Sequence, residues 1–145
     1  MKKKSVFLFI PVFTLIFING CVTAAPYSFA EDGVKTASIT FTSTARREGV
    51  DLHYFEGIEL PMPGNYRYWA PVIFPAGRPF KLTVNIYFND YDKGTEKIFN
   101  CPALTAGNKY KLTYKVTAGF FGIGGSHKLI LKDAKTRQIV YEQQI

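Results

Sequence analysis

Apolar and polar residues alternate strictly over residues 80–88, and this alternation constrains the fold more than any other feature of the sequence. Every even-numbered position from Phe80 to Phe88 is apolar, and the odd positions are Lys, Thr, Asn and Tyr. Successive side chains of a β-strand point to opposite faces of a sheet, so the pattern predicts a strand with one buried face and one hydrated face. The stretch from Tyr110 to Val116 repeats it, with Lys or Thr at the odd positions.

Further short segments have strand composition and are separated by Gly- and Pro-containing turns. They are Ser38–Thr42, Val50–Phe55, Tyr66–Phe74, Glu96–Cys101, His127–Leu131 and Gln138–Gln143. No convincing helical pattern follows residue 30. Seven to nine short strands in about 110 residues predict an all-β fold, an antiparallel β-sandwich of immunoglobulin-like or transthyretin-like layout.

Composition and charge exclude several classes of protein. The chain has 145 residues, of which 47% are apolar and 20% charged, which excludes a disordered tail and a coiled coil. The formal net charge is +7, but three of the lysines lie at positions 2–4. Without the first 20 residues, 15 basic residues stand against 11 acidic ones. A charge of +4 on such a domain is modest, and we expect no nucleic-acid partner.

The N-terminus has the proportions of a secretory signal peptide. Lys2–Lys4 form a basic region, and an apolar run from Val6 to Ile18 follows. That run is too short for a comfortable membrane span, which needs about 20 residues, and Pro11 interrupts it. We therefore expect residues 1–20 to be removed.

The next residues, Ile18-Asn19-Gly20-Cys21, resemble the lipobox of bacterial lipoproteins, in the relaxed form that spirochaetes tolerate. Asn19 departs from the commoner Ala, Ser or Thr. The resemblance implies cleavage after Gly20 and acylation of Cys21, so that the protein is membrane-bound through lipid in the bacterial cell envelope, in the outer membrane. An ordinary secreted protein cut near Ala24 is the alternative. We expect residues 21–33 to form a lipidated tether and residues 34–145 to form the folded domain.

One turn resembles the tyrosine corner of immunoglobulin-like and fibronectin III-like domains. It reads Leu-x-x-Gly-x-x-Tyr from Leu104 through Gly107 to Tyr110. The resemblance implies that Tyr110 bonds backbone upstream, Leu104 fills the core and Gly107 permits the turn. Together with the leader and the segment from Trp69 to Gly77, it makes the chain similar to small uncharacterised bacterial lipoproteins. That similarity implies a location and a fold more than a mechanism.

No constellation of residues indicates catalysis. Cys101 shares the apolar parity of Phe99, which predicts a buried thiol, with a reactive thiol as the alternative. The alternation of the segment Val50–Phe55 places His53 on the solvent-facing side, and His127 lies 74 positions further along the chain. Asp90 and Asp92 lie in a polar turn without the ligand series of a calcium loop. We expect no enzyme, no metal site and no cofactor.

Two features indicate binding to a partner. The glycine-rich segment 119–126 carries Phe120, Phe121 and Ile123, which either grip a partner or lipid, or fold back over the sandwich. A basic face is predicted on two neighbouring strands, where the lysines either attract an anionic partner or keep the sheet soluble. These lysines are Lys109, Lys111, Lys115 and Lys128, with Lys132 beside them.

The sequence thus predicts a lipid-anchored envelope lipoprotein with a non-catalytic interaction or structural role. Its partner would be an envelope protein or a polysaccharide. The alternative is a carbohydrate-binding or adhesion module on the cell surface. In that module Tyr68 and Trp69 would form an exposed stacking platform rather than core.

Overall fold

The computed structural model describes residues 26–42, 49–61, 70–87, 94–117 and 125–145. Within these ranges the chain forms β-strands and no helix. The strands are β1 (Tyr27–Ser28), β2 (Thr36–Phe41), β3 (Gly49–Phe55), β4 (Ile58–Glu59), β5 (Val72–Pro75), β6 (Phe80–Tyr87), β7 (Thr95–Cys101), β8 (Lys109–Thr117), β9 (Ser126–Asp133) and β10 (Ile139–Gln144). None of the described residues belongs to a helix with the length and hydropathy needed to cross a bilayer.

The strands form two sheets that share one core. Sheet A has the order β1-β5-β2-β8-β9-β10, and sheet B has the order β4-β3-β6-β7. The pairs β1–β5 and β2–β8 are parallel, and the other pairs are antiparallel. The predicted all-β sandwich is confirmed. The two parallel pairs are the exception to the antiparallel pairing predicted from the sequence.

The alternation of side chains places the core. In β6 the even positions are buried and the odd positions face solvent or are half-buried, and β8 behaves in the same way up to Tyr114. Both sheets turn these apolar faces inward, as in other sandwiches. The largest fully buried side chains are Phe41, Phe74, Phe99, Ile39, Leu82, Leu104, Leu112, Leu129 and Leu131.

Phe29 closes one side of the sandwich, within the segment assigned by sequence to the tether. Its ring lies 4.9 Å from Phe55 of sheet B and 5.7 Å from Phe74 of sheet A, measured between centroids. Just before it, β1 pairs with β5. This part of the predicted tether 21–33 therefore belongs to the sandwich, because burial of the Phe29 ring outweighs the freedom of a short linker.

Strand β10 closes the opposite side. The Tyr141 ring lies 5.7 Å from that of Phe99 on β7. The Gln143 amide nitrogen donates to the Ile98 carbonyl at 2.7 Å, and its oxygen accepts from the Asn100 N–H at 2.8 Å. One side-chain amide thus occupies backbone groups on the free edge of β7, which would otherwise invite pairing with another chain.

Candidate functional site

The turn before β8 has the geometry of a tyrosine corner. The Tyr110 hydroxyl accepts a hydrogen bond from the Thr105 N–H at 3.0 Å. Leu104 is buried in the core, and Gly107 has a φ of 79°, a backbone conformation that side chains with a Cβ rarely adopt. These residues fix where β8 enters sheet A, and β8 carries the lysines of the basic face.

The basic face lies on the outward side of β8 and β9. Lys111 stands directly opposite Lys132, and Lys115 stands directly opposite Lys128. Odd positions of β8 point outward because its even positions fill the core. We define the basic face as Lys109, Lys111, Lys115, Lys128 and Lys132.

Positive charge on this face is largely uncompensated. Like charges placed directly opposite each other on neighbouring strands destabilise a sheet. Lys128 is relieved by Glu142 of β10, with 3.1 Å between its Nζ and the carboxylate oxygen. In the described part of the chain, the other lysines of the basic face form no salt bridge.

Ile130 sits at the centre of the basic face. It has outward parity and stands opposite Thr113, yet only 4% of it is exposed. The Thr113 hydroxyl donates to the Ile130 carbonyl at 3.3 Å. The two lysine pairs lie two residues to either side, and lysine stems cover apolar surface while the ammonium groups remain in water. Glu142 of β10 stands opposite Ile130 on its other side, so Glu142 and the flanking lysines surround this side chain on the outer face.

The turn between β9 and β10, residues 134–138, adds two cationic side chains beside this face, Lys135 and Arg137. An Asp133 oxygen accepts from the N–H groups of Lys135 at 2.9 Å and Thr136 at 2.7 Å. These backbone hydrogen bonds, led by that of Thr136, lower the pKa of Asp133. The Ala134 N–H donates to the Lys109 carbonyl at 2.8 Å, which attaches the turn to β8.

Two grooves flank this turn, and Asp133 and Ala134 line both. The Lys111 groove has a volume of about 430 Å³ and is lined by Lys111, Thr113, Lys132, Asp133, Ala134 and Arg137. The Lys109 groove has a volume of about 440 Å³ and is lined by Gly107, Asn108, Lys109, Asp133, Ala134 and Lys135. The cations of the turn and of the sheet thus meet in two recessed places.

The thiol and the two histidines are separated from one another in the fold. Cys101 is buried, and desolvation raises the pKa of its thiol to about 12, so it stays protonated at neutral pH. His53 lies on the outer side of sheet B, with its Nδ1 2.6 Å from a Glu96 oxygen. His127 lies in sheet A, with its Nδ1 2.5 Å from the Tyr114 hydroxyl. This arrangement provides no activated nucleophile among these residues.

Another groove, of about 540 Å³, lies beside Cys101 and is lined also by Glu56, Lys81 and Phe80. Its carboxylate is already engaged, because Glu56 accepts from both terminal nitrogens of Arg78 at 2.7 and 2.8 Å. This ion pair lowers the pKa of Glu56. This groove therefore offers an anionic polymer or a small anion less unpaired positive charge than the two grooves at the turn do.

Several predicted residues lie outside the described ranges. They are the lipidation residue Cys21, the candidate binding loop Phe120, Phe121 and Ile123, the aromatic pair Tyr68 and Trp69, and the acidic turn with Asp90 and Asp92. Within the described ranges, no three His, Cys, Asp or Glu side chains are grouped so as to hold a metal ion.

Lys135 and Arg137 were missed by reasoning from the sequence. Both follow a strand in a short polar turn, where charged residues are common, and their type alone does not distinguish them. Periodicity placed the lysines of β8 and β9 on one face, but it says nothing about how a turn folds back beside them.

Comparison with known families, curated proteins and solved structures finds no match for this chain.

Proposed function

We propose that this chain is a lipid-anchored envelope protein that binds an anionic polysaccharide through its basic face and catalyses no reaction. The observation that carries the proposal is the register of β8 and β9, which sets Lys111 against Lys132 and Lys115 against Lys128. A sheet gains nothing from opposed lysines. A row of anionic groups on a partner would turn the same charges into favourable contacts.

The lipidated cysteine would hold the domain near its membrane. Tyr27 already pairs with β5, so only residues 22–26 separate Cys21 from sheet A. Six Cα-to-Cα steps span roughly 20 Å at most. Two or more acyl chains give stable anchoring, whereas one does not. The domain would then meet envelope polymers close to the bilayer.

Retention on an immobilised polyanion tests the binding function. Full-length protein in detergent is applied to dextran sulfate and to uncharged dextran, and eluted with rising salt. We expect the triple variant Lys111→Gln/Lys115→Gln/Lys132→Gln to elute from dextran sulfate at clearly lower salt than the wild type, because screening weakens attraction between exposed charges.

Lys35→Gln/Lys81→Gln/Lys97→Gln is the matched control, since it removes the same number of positive charges from positions outside the basic face. It should elute close to the wild type. If the triple variant also elutes with the wild type, the basic face does not bind polyanions and the proposed function is wrong.

Anchoring is tested separately in cells that express the protein while growing in medium with a labelled fatty acid. Wild-type protein should incorporate the label and sediment with membranes, and Cys21→Ala should do neither. Treatment of intact cells with a protease then shows on which side the domain lies. Label in the Cys21→Ala variant would overturn lipidation at this cysteine.

A further inference from the structure

We propose that the Lys111 groove is a binding site for a tetrahedral oxyanion, and that the partner polysaccharide is phosphate-bearing. The inference rests on the proposed function and names the chemistry of its partner. Its site is the place where Lys111, Lys132 and Arg137 line one recess. The other lysines of the basic face would hold the neighbouring charges of the same polymer.

The three cations reach the groove from three different elements. Lys111 comes from β8, Lys132 from β9, and Arg137 from the turn that follows β9. Asp133 contributes the only carboxylate of the lining, and it is directed into the backbone N–H groups of Lys135 and Thr136. The groove therefore keeps an excess of two positive charges.

Arg137 occupies a backbone conformation that favours glycine or asparagine. Its φ is 63°, and its N–H donates to the Asp133 carbonyl at 2.9 Å, which closes the turn. An arginine in this region costs backbone energy that a glycine would not. Within the described part of the chain its guanidinium has no hydrogen-bonding or ion-pair partner. The guanidinium is exposed and lines the groove, so it is available to an anion bound there.

The set of donors favours phosphate over a carboxylate. A guanidinium presents two parallel N–H groups that match two oxygens of one anion, and two ammonium groups add further donors. A carboxylate has two oxygens and one negative charge, whereas a phosphate monoester has three terminal oxygens and a charge of about −1.5 to −2 at pH 7. Three cations in one recess are better satisfied by the phosphate.

The recessed shape favours a polymer over a membrane surface. The Lys109 groove continues on the other side of Asp133 and Ala134, so a single chain can pass both recesses and then follow the lysines of β8. A flat bilayer would instead meet the residues that project most. The proposal therefore commits to a phosphate-bearing glycan rather than an anionic lipid surface.

The decisive variant is Arg137→Asn. Asparagine tolerates positive φ, so the variant should unfold at the same or a higher temperature than the wild type. Its affinity for inorganic pyrophosphate, measured by calorimetric titration, should fall at least about tenfold. A merely structural arginine would give the opposite pair of results, lower stability with unchanged affinity.

Further measurements distinguish a glycan from a lipid as the source of the phosphate, and failure of the oxyanion site from failure of the proposed function. Lys81→Gln should bind pyrophosphate like the wild type, and acetate should bind the wild type far more weakly. If the wild type fails to bind pyrophosphate, or Arg137→Asn binds it unchanged, the oxyanion site is refuted, while retention on dextran sulfate decides the proposed function by itself. Because the lipid anchor inserts into any vesicle, the gain from phosphatidylglycerol is measured against phosphatidylcholine vesicles, and the gain from phosphorylated mannan against plain mannan. A larger gain from the anionic lipid than from the phosphorylated mannan would overturn the choice of a glycan.

Discussion

The outer faces of the two sheets are built on the same alternation but arrange their charges differently. On sheet A, lysine stands against lysine at two positions of the β8–β9 pair. On sheet B, His53 lies 2.6 Å from Glu96, and Asp51 stands opposite the neutral Asn85. One face sets like charges against each other, whereas the other brings complementary or neutral groups together.

This difference shows what the alternation determines and what it leaves free. A period of two decides which residues face outward, since the core needs the others. It does not decide the sign of the outward charge. Sheet B has an arrangement that stabilises the folded chain alone. Sheet A has one that becomes favourable when an anionic partner supplies the missing negative charge.

The largest effect on stability is expected where the basic face buries an apolar side chain. Ile130 is 4% exposed, whereas Ile98, on the outer face of sheet B, is 57% exposed. Ile130→Ala should lower the free energy of unfolding by about 2 kcal/mol, and Ile98→Ala by about 0.5 kcal/mol or less. Urea unfolding of both variants measures the difference. Equal losses would show that Ile130 is not shielded from water on the basic face.

A smaller effect is expected from reversing one charge of an opposed pair. Lys111→Glu places a carboxylate opposite Lys132, which should raise the free energy of unfolding by about 0.5 kcal/mol at low salt. The same variant should bind dextran sulfate less tightly, so stability and binding change in opposite directions.

Lys81→Glu is the control for this reversal, because Lys81 stands opposite the uncharged Asn100 and shares a groove with Glu56, so the new carboxylate meets no opposed lysine. It should give no comparable stabilisation. If both reversals change stability equally, the opposed lysines do not repel each other enough to matter, and the contrast between the faces loses its energetic basis.

Most of the fold could be predicted from the sequence because the long strands alternate strictly. The predicted segment 80–88 and the observed β6, Phe80–Tyr87, agree at their start, and the strand at Val50–Phe55 is one residue longer in the structure. Two strands were missed, β1 and β4, and each has only two residues. A period cannot be recognised over two residues. They are strands because of their neighbours in the sheet.

The segment Tyr66–Phe74 shows a second limit of prediction from pattern. Its described part forms a strand only from Val72, and that strand extends to Pro75. The aromatic residues at the start of this segment favour a strand, but propensity does not determine at which residue strand pairing begins. The same holds for the site. The lysines followed from periodicity, but the place of Arg137 depends on hydrogen bonds within a turn, which composition does not specify.

The smallest effect is expected on sheet B, from the one half-buried carboxylate of its outer face. Desolvation raises the pKa of Asp51, and a hydrogen bond from Tyr87 opposes this in part. Because the folded state binds the proton more tightly than the unfolded state, this group lowers stability as pH rises from the ordinary carboxyl value of 3.8 through the raised one. Asp51→Asn removes that penalty, so it should unfold at a slightly higher temperature than the wild type near pH 7.

The advantage of Asp51→Asn should shrink toward zero near pH 3, where the carboxyl group is protonated in both states. Thermal unfolding of the two proteins across this range measures it. One Asp51 oxygen is buried without a hydrogen-bonding partner, which is consistent with a net cost of the charge. A variant that is less stable than the wild type near pH 7, but equally stable near pH 3, would mean that the bond from Tyr87 outweighs desolvation. Sheet B would then hold its charges by pairing alone, and the contrast with the basic face would be sharper.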